Sequence, residues 1–296
     1  MAATSHHRFA WNGISFDVPR RWELSEHRTT RGVTRIAMED AAAVRLECEW
    51  LYPRRAVEVE TVRERYLDRA KSLSDLAERV DPLPTDALGW TGHFYRMEEQ
   101  RTLVIAYHQS VAAGAPFVFL RLHFDATSTE EPAAAFRLLA RSFQFANDGL
   151  IPWACYDVSF LLDCRFRLTG SSLDAGRKHL IFGWGLRRLC LWHFSLANLI
   201  RERGTFAEFA ANALNTSRSL PALHVTADGP ETLAWRRKRR YPIGHAEEIG
   251  RWCFRYHAGL RHLPERNQLA VWVFNYRKPD DLTVFREGFR PEQPIA

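Results

Sequence analysis

The sequence contains few of the features that usually reveal a chemical function. Its five cysteines are an odd number and no two lie close together, so we expect free thiols and a reducing compartment, not a disulfide framework. His-Glu-x-x-His, Cys-x-x-Cys and phosphate-loop motifs do not occur. We therefore predict no catalytic residue, no metal site, no cofactor and no enzymatic activity.

Long hydrophobic runs are also lacking. The longest uncharged stretch, Thr102–Leu120, contains His108, Gln109, Gly114 and Pro116, which is typical of two strands joined by a turn and not of a membrane span. The beginning of the sequence lacks the apolar core of a secretory signal. From these absences we expect a cytoplasmic protein that does not enter the membrane.

The size and charge of the chain predict two unequal domains. The 296 residues, of which 46% are apolar and 26% charged, have the composition of a folded globular protein and exceed the usual size of one core. We place the boundary at 148/149. Residues 149–296 contain 22 Lys and Arg against 14 Asp and Glu, a net charge of +8, whereas the first half carries −2. An acidic partner would therefore favour the second domain.

An internal repeat supports this division. The stretch Gly13–Leu24 has a degraded copy at Asp157–Leu168, in which Phe160 follows Phe16 by 144 positions. Duplicated domains preserve such landmarks while the loops between them change in length. The sequence therefore predicts one domain present twice in tandem, as residues 1–148 and 149–296.

A helix signal recurs at the same spacing. Thr61 precedes Glu64 by three positions, and Thr205 precedes Glu208 in the same way. A threonine followed by glutamate at this distance is the signature of a capping box, in which each side chain accepts a backbone N–H at the helix start. We predict a capped helix after each threonine.

Each half is predicted to run through a strand, a turn, a hairpin, a helix, a three-stranded meander and a closing helix. In the first half we predict strands at 13–18, 33–38, 44–51, 90–97, 103–111 and 117–124, and helices at 62–77 and 130–142. In the second half we predict strands at 158–162, 179–184, 187–196, 232–240, 251–258 and 269–276, a helix at 206–214 and a short helix toward Phe289.

This order resembles the PsbP-like superfamily. The similarity lies in the opening strand and Pro-x-x-Trp turn of Ile14–Trp22 and in the closing helix Phe136–Phe143. The superfamily includes DcrB-like lipoproteins and chaperones of type VI secretion effectors. The resemblance implies an α+β fold with two tandem α/β/α sandwich domains, each built on an antiparallel sheet with two main helices. It also implies partner binding without catalysis.

The most unusual local feature is a run of five cations between two aromatic residues, Trp235, Arg236, Arg237, Lys238, Arg239, Arg240 and Tyr241. Adjacent like charges repel one another and need water or an anion. A solvated strand edge, a site for an acidic protein segment and a nucleic-acid site are all open interpretations.

A second candidate surface lies on the predicted strand 251–258. Alternation places Arg251, Arg255 and His257 on one face, opposite an aromatic core face formed by Trp252, Phe254 and Tyr256. These three side chains line a ligand surface in one interpretation and a partly covered structural face in the other. We assign both candidate surfaces to partner binding.

These observations lead to a functional hypothesis. We predict a cytoplasmic, non-enzymatic protein-binding module that acts on a partner protein with an acidic segment, more specifically as a chaperone or adaptor. The alternative is a nucleic-acid-binding protein that acts through its basic second half.

Overall fold

Antiparallel β-sheet dominates the chain. The computed structural model describes residues 6–52, 61, 64, 68, 78–83, 89–97, 101–109, 115–125, 128–146 and 148–291. The chain divides into two units. Unit 1 consists of Met1–Asn147, Pro152–Tyr156 and Ala296, and unit 2 of Asp148–Ile151 and Asp157–Ile295.

Unit 1 is built mainly on a seven-stranded antiparallel sheet of order β3-β4-β5-β9-β8-β7-β6, with β10, β2 and β1 in a second sheet where Ala10 of β1 pairs with Ala154. Its elements are β1 His6–Trp11, β2 Ile14–Pro19, β3 Glu23–Thr30, β4 Val33–Glu39, β5 Val44–Leu51, β6 Glu78–Pro82, β7 Trp90–Met97, β8 Arg101–Gln109, β9 Phe117–Phe124, α1 Pro132–Ser142 and β10 Gln144–Phe145, followed by β11 Leu150–Cys155.

The core of unit 1 follows the alternation of its sequence. Leu46, Cys48 and Trp50 of β5 are buried on one face, as expected for a strand with a period of two. Helix α1 begins at Pro132, where Glu131 accepts hydrogen bonds from two backbone N–H groups of the first turn. The predicted helix 62–77 lies almost entirely outside the described residues.

Unit 2 has a five-stranded antiparallel sheet of order β13-β14-β15-β19-β18, a separate hairpin of β16 and β17, and a pairing of β12 with β20. Its elements are β12 Val158–Asp163, β13 Arg167–Asp174, β14 Arg177–Trp184, β15 Arg187–Ser195, α2 Ala197–Arg203, α3 Phe206–Thr216, β16 Leu223–Ala227, β17 Leu233–Arg237, α4 Ala246–Arg251, β18 Arg255–Leu263, β19 Gln268–Tyr276, α5 Pro279–Gly288 and β20 Phe289–Arg290.

The five-stranded sheet of unit 2 is buried on both faces. Trp192 and Tyr256 lie in a core that also contains Leu214 of α3. On the other face Phe274 stacks on Phe285 of α5, with ring centroids 4.7 Å apart. Helix α3 has the predicted capping box, because the Glu208 N–H donates to Thr205 Oγ1 at 3.1 Å and the Thr205 N–H to Glu208 Oε2 at 2.9 Å.

The two units share an order of strands. The sheet order β3-β4-β5-β9-β8 in unit 1 corresponds to β13-β14-β15-β19-β18 in unit 2. In each unit a closing two-residue strand, β10 or β20, pairs with the strand that precedes the large sheet, β2 or β12. The matching order does not by itself establish that both units descend from one duplicated domain, and that duplication stays a prediction.

The predicted fold class is wrong. Over the residues that the structure describes, the chain consists mostly of antiparallel sheet with few short helices, and these residues do not form α/β/α sandwiches with two main helices per domain. Strands β3 and β13 were not predicted because they are polar sheet edges without apolar alternation. The first strand was also missed, since His6–Trp11 begins with two histidines, but its Phe9, Ala10 and Trp11 are fully buried.

Arg45 is a buried cation whose partners all lie in unit 1. Its Nε donates to Asp40 Oδ2 at 2.7 Å, and its Nη1 donates to Asp125 Oδ2 at 3.0 Å and Ser128 Oγ at 2.7 Å. Burial alone would raise the pKa of Asp40, but the hydrogen bonds from Arg45, Ala42 and Ala43 outweigh it and hold that pKa below its ordinary value.

We expect Arg45→Met to lower the free energy of unfolding by about 3 kcal/mol, because it leaves the Asp40 carboxylate without its buried partner. The measurement is urea unfolding followed by circular dichroism. Arg35→Met is the matched control. Arg35 forms an exposed pair with Glu49 at 2.6 Å, so its loss is expected to cost about 0.5 kcal/mol. Equal effects of the two substitutions would contradict the assignment.

His193 makes unit 2 sensitive to acid. Its imidazole stacks on Phe160 at 5.8 Å and is fully buried, and burial lowers its pKa to about 3 from the ordinary 6.5. The His193 imidazole is therefore protonated below pH 6.5 in the unfolded chain but only below about pH 3 in the folded chain. The stabilising contribution is complete above pH 6.5 and declines by about 1.4 kcal/mol per pH unit on acidification.

We expect His193→Leu to flatten this acid dependence by about that slope between pH 6 and pH 4. The measurement is urea unfolding of the wild type and the variant at a series of pH values. Parallel curves for the two proteins would contradict the assignment to His193.

Candidate functional site

The run of five cations does not form one continuous strand. Strand β17 ends at Arg237, and the Lys238 N–H donates to Ala222 O at 2.8 Å as the last backbone bond of the hairpin. The chain then turns, because the Tyr241 N–H donates to Gly244 O at 3.1 Å across a segment that contains Pro242. The predicted strand 232–240 is therefore too long, and Lys238 to Arg240 lie in a loop.

Arg237 has a structural role. Its Nε donates to Glu248 Oε1 at 2.7 Å and its Nη2 donates to Glu248 Oε2 at 3.1 Å, while Nη2 also reaches Ile243 O at 3.3 Å. The guanidinium carbon lies 5.2 Å from the ring centroid of Phe254. Because Glu248 is buried, this pair fixes the loop after β17 onto helix α4.

Helix α4 occupies the beginning of the predicted strand 251–258. The His245 N–H donates to Glu248 Oε2 at 2.9 Å and caps the helix start. The helix ends at Arg251, and Trp252 adopts a left-handed conformation with φ of 53°. The prediction that Trp252 lies in an aromatic core is wrong, since it is one of the most exposed large apolar residues among those described.

The loop and the end of α4 together form an exposed surface, which we call the aromatic–basic patch. It consists of Trp235, Lys238, Arg239, Arg240, Tyr241, Ile243 and Trp252. The exposed fractions of its apolar members are 39% for Trp235, 49% for Tyr241, 65% for Ile243 and 61% for Trp252. Its three cations form no salt bridge with any residue that the structure describes. An exposed group of large apolar side chains marks an interaction surface.

The buried Tyr256 and the partly buried Phe254 support the patch. Trp235 meets the ring of Tyr256 edge-on at 5.7 Å, and Trp252 meets Phe254 edge-on at 6.4 Å. Burial, followed by the nearby carboxylate of Glu248, raises the pKa of Tyr256, so its hydroxyl stays protonated.

Besides Arg237 and Arg251, three predicted site residues lie outside this patch. Arg236 projects to the side of β17 opposite Trp235, because successive side chains of a strand alternate. Arg255 and His257 lie on the face of β18 opposite Tyr256, where His257 meets Phe285 at 6.0 Å. Burial and then Arg286 lower the pKa of His257.

Arg251 is the last residue of α4 instead of a strand residue. Its Nη2 lies 3.0 Å from Glu247 Oε1, and Arg188 Nη1 pairs with the same oxygen atom. The structure thus brings Arg251 beside Trp252 and not into one surface with Arg255 and His257.

Cys253, four residues before His257 in the chain, is not an activated nucleophile. The Cys253 thiol is buried and donates to Leu186 O at 3.3 Å. Burial raises its pKa, which keeps the sulfur in its unreactive protonated form.

The sequence analysis missed Trp252, Ile243 and Arg188. The signal for α4 is present, because Glu247 precedes Arg251 by four positions and such pairs stabilise helices. That pair assigns Arg251 to the end of a helix and moves the start of the predicted strand beyond it. Ile243 follows Pro242 in a loop, and no periodic pattern marks it.

A second surface feature of unit 2 is an apolar groove of about 460 Å³ beside α2 and α3. Leu196, Leu199 and Phe209 line it, with Arg203 and Asn212 among its polar residues. Leu196 has a left-handed backbone with φ of 61°.

The described part of the chain contains no metal site and no membrane-spanning helix. No group of three or more His, Cys, Asp or Glu side chains there could hold a metal ion. Among the same residues, no helix combines the length and the apolar character that crossing a bilayer requires.

No protein-family model and no curated protein matches the chain. Similar solved structures include the apo form of TplEi, an immunity protein of T6SS from Pseudomonas aeruginosa, with 11% identity, 97% of each chain covered and a TM-score of 0.36. MucB is 12% identical over 98% of this chain and 93% of its own, with a TM-score of 0.19. The MucA/MucB complex of Pseudomonas aeruginosa is 11% identical, covering 95% of this chain and 89% of that chain, with a TM-score of 0.16.

TM-scores this low assign neither a fold nor a function to the chain. The resemblance to the PsbP-like superfamily stays a prediction.

The structural role of Glu248, which joins the loop after β17 to helix α4, can be tested directly. We expect Glu248→Ala to lower the free energy of unfolding by roughly 2 kcal/mol, because it removes both the cap of α4 and the partner of Arg237. Hydrogen exchange of residues 238–244 should become faster as the loop loses its attachment. Glu202→Ala, on an exposed position of α2, is the control and should change stability by less than about 0.5 kcal/mol. Unchanged exchange in the loop would contradict this assignment.

Proposed function

We propose that this protein is a non-catalytic protein-binding module and that the aromatic–basic patch of unit 2 contacts its partner. The observation that carries the proposal is the exposure of Trp252 and Ile243 beside Trp235 and Tyr241. Burying large apolar side chains on binding supplies most of the affinity in protein interfaces, and Trp, Tyr and Arg are the residues that most often dominate it.

The charge of the patch selects the partner. Lys238, Arg239 and Arg240 extend from a loop whose conformation is fixed by Arg237 and Glu248. Arginine side chains bind carboxylates through paired N–H donors. The partner in this proposal is therefore a protein with an acidic segment next to an apolar one.

A protein partner fits this surface better than a nucleic acid does. Single-stranded nucleic acids bind by stacking their bases on aromatic rings next to cations. Ile243 is the most exposed large apolar side chain in the patch, and an isoleucine offers no ring for stacking. Its aliphatic surface is complementary to apolar protein side chains.

A chaperone or adaptor in the cytoplasm is the more specific form of the proposal. All five cysteines are free thiols, which agrees with a reducing compartment. A binding function without chemistry is also supported by the protonated, buried thiol of Cys253, since a nucleophilic cysteine needs an accessible thiolate.

The test is affinity purification with the full chain as bait in a lysate of the organism that encodes it, followed by a binding measurement with the purified partner. We expect Trp252→Ala to weaken the partner's affinity roughly thirtyfold, the effect of removing a central interface tryptophan. Leu199→Ala, which truncates an exposed leucine outside the patch, should leave the affinity unchanged.

Two outcomes would overturn the proposal. One is a partner that binds both variants as tightly as the wild type. The other is tight binding of a single-stranded oligonucleotide that weakens steeply with salt and is lost on Trp252→Ala, which would assign the patch to nucleic acid.

A further inference from the structure

An arginine-lined pocket lies next to the aromatic–basic patch. It is an open cavity of about 410 Å³ where β14 ends and β15 begins. Its walls include Ile181, Gly183, Leu186, Arg187, Arg188 and Arg251. The charged side chains in this wall are three arginines, and no carboxylate of a described residue lines it.

The pocket retains one positive charge that its surroundings do not neutralise. Arg188 and Arg251 both pair with Glu247, so that two guanidinium groups share one carboxylate. Arg187 is different, because it has a carboxylate of its own. Its Nη2 donates to Asp281 Oδ1 at 2.8 Å, and its guanidinium lies over Trp184 at 4.7 Å.

The pocket adjoins the patch at Trp252, because both chain neighbours of that residue contact the pocket. Arg251 lines it, and the Cys253 thiol donates a hydrogen bond to the carbonyl oxygen of Leu186, another lining residue. A partner that packs on Trp252 therefore lies close to Arg251. Ile181 and Leu186 add an apolar wall beside the arginines.

We propose that this pocket binds a carboxylate of the partner, from an aspartate, a glutamate or a chain terminus, through Arg188 and Arg251. The inference rests on the proposed function, since it names the chemistry by which the same surface recognises its partner. One unneutralised charge matches a carboxylate, which carries a single negative charge, better than a phosphate with nearly two. The apolar wall fits the methylene groups that precede a side-chain carboxylate.

The shared carboxylate makes a clean test possible. In Arg251→Met, Glu247 keeps Arg188 as its partner, so that no charge is left buried and unpaired and the variant is expected to fold. The pocket then loses its excess charge. Arg187 is not a suitable target, because its removal would leave the buried Asp281 without its partner.

The probe is a fluorescein-labelled short peptide of alternating leucine and glutamate, and its control peptide has glutamine at each glutamate position. We expect the wild-type full chain to bind the glutamate peptide and not the glutamine peptide, by fluorescence anisotropy. Arg251→Met should weaken this binding about tenfold, as expected for a lost hydrogen bond between charged groups. Arg203→Met, which removes a cation from the apolar groove beside α2, should have no such effect.

A second variant tests the cavity itself without changing charge. A side chain at Gly183 would enter the pocket on the side of Ile181, and its Cβ would lie 3.2 Å from Thr169 Cγ2, a contact that a small shift of Thr169 relieves. Valine suits a strand position. We expect Gly183→Val to weaken binding of the glutamate peptide by at least tenfold.

The inference is overturned if the glutamate peptide does not bind the wild type, if the glutamine peptide binds equally well, or if both pocket variants bind like the wild type. If inorganic phosphate displaces the peptide at concentrations where acetate has no effect, the pocket binds a phosphate group and not a carboxylate, which also overturns the inference. In any of these cases, a partner protein that is still lost on Trp252→Ala leaves the proposed function standing. Retention of that partner by Trp252→Ala would overturn the proposed function itself.

Discussion

The exposed surface of unit 2 depends on one buried carboxylate, that of Glu248. It accepts two hydrogen bonds from Arg237 and a third from the backbone of His245. The first two attach the end of β17 to helix α4, and the third starts that helix. Without a negative charge at this position the loop that carries Tyr241 and Ile243 would lose its attachment to α4, because the partly buried Arg237 would have no carboxylate partner. The preorganised loop then loses little entropy on binding.

The same ion pair explains how five consecutive cations can coexist. Arg237 is neutralised by Glu248, and Arg236 projects away from it on the other side of the strand. The turn after β17 separates the remaining three from the strand and exposes them to water. The repulsion among the five cations is therefore reduced, because their side chains point in different directions. The three exposed cations are also screened by mobile counter-ions in solution.

Apolar patterns in the sequence located the strands that are largely buried and failed at exposed strands. The predicted strands 44–51, 90–97 and 117–124 are confirmed as β5, β7 and β9. Apolar residues alternate along most of β5, whereas β9 begins with four consecutive buried apolar residues. The edge strand β13 is half-exposed along its length, so it has no such pattern. For the site, the basic run was visible in the composition. The predicted strand 251–258, however, began too early, because helix α4 ends at Arg251 and Trp252 has a left-handed backbone. Tertiary pairing through Glu248, which no local pattern encodes, decides where each cation lies.

The two units differ where the patch is built. In unit 1 the strand β7 pairs with β8, and only residues 98–100 separate them. In unit 2 the corresponding β17 pairs with β16 in a separate hairpin, and residues 238–254 separate it from β18. Loop 238–244, helix α4 and Trp252 all lie in this longer connection. The two units thus share a sheet order but differ in the connection before β8 and β18. Variation in loops is the usual way in which one scaffold acquires a new binding surface. The difference in net charge, +8 in the second half against −2 in the first, arises partly in this region, because the five consecutive cations lie at the end of β17 and the start of the connection.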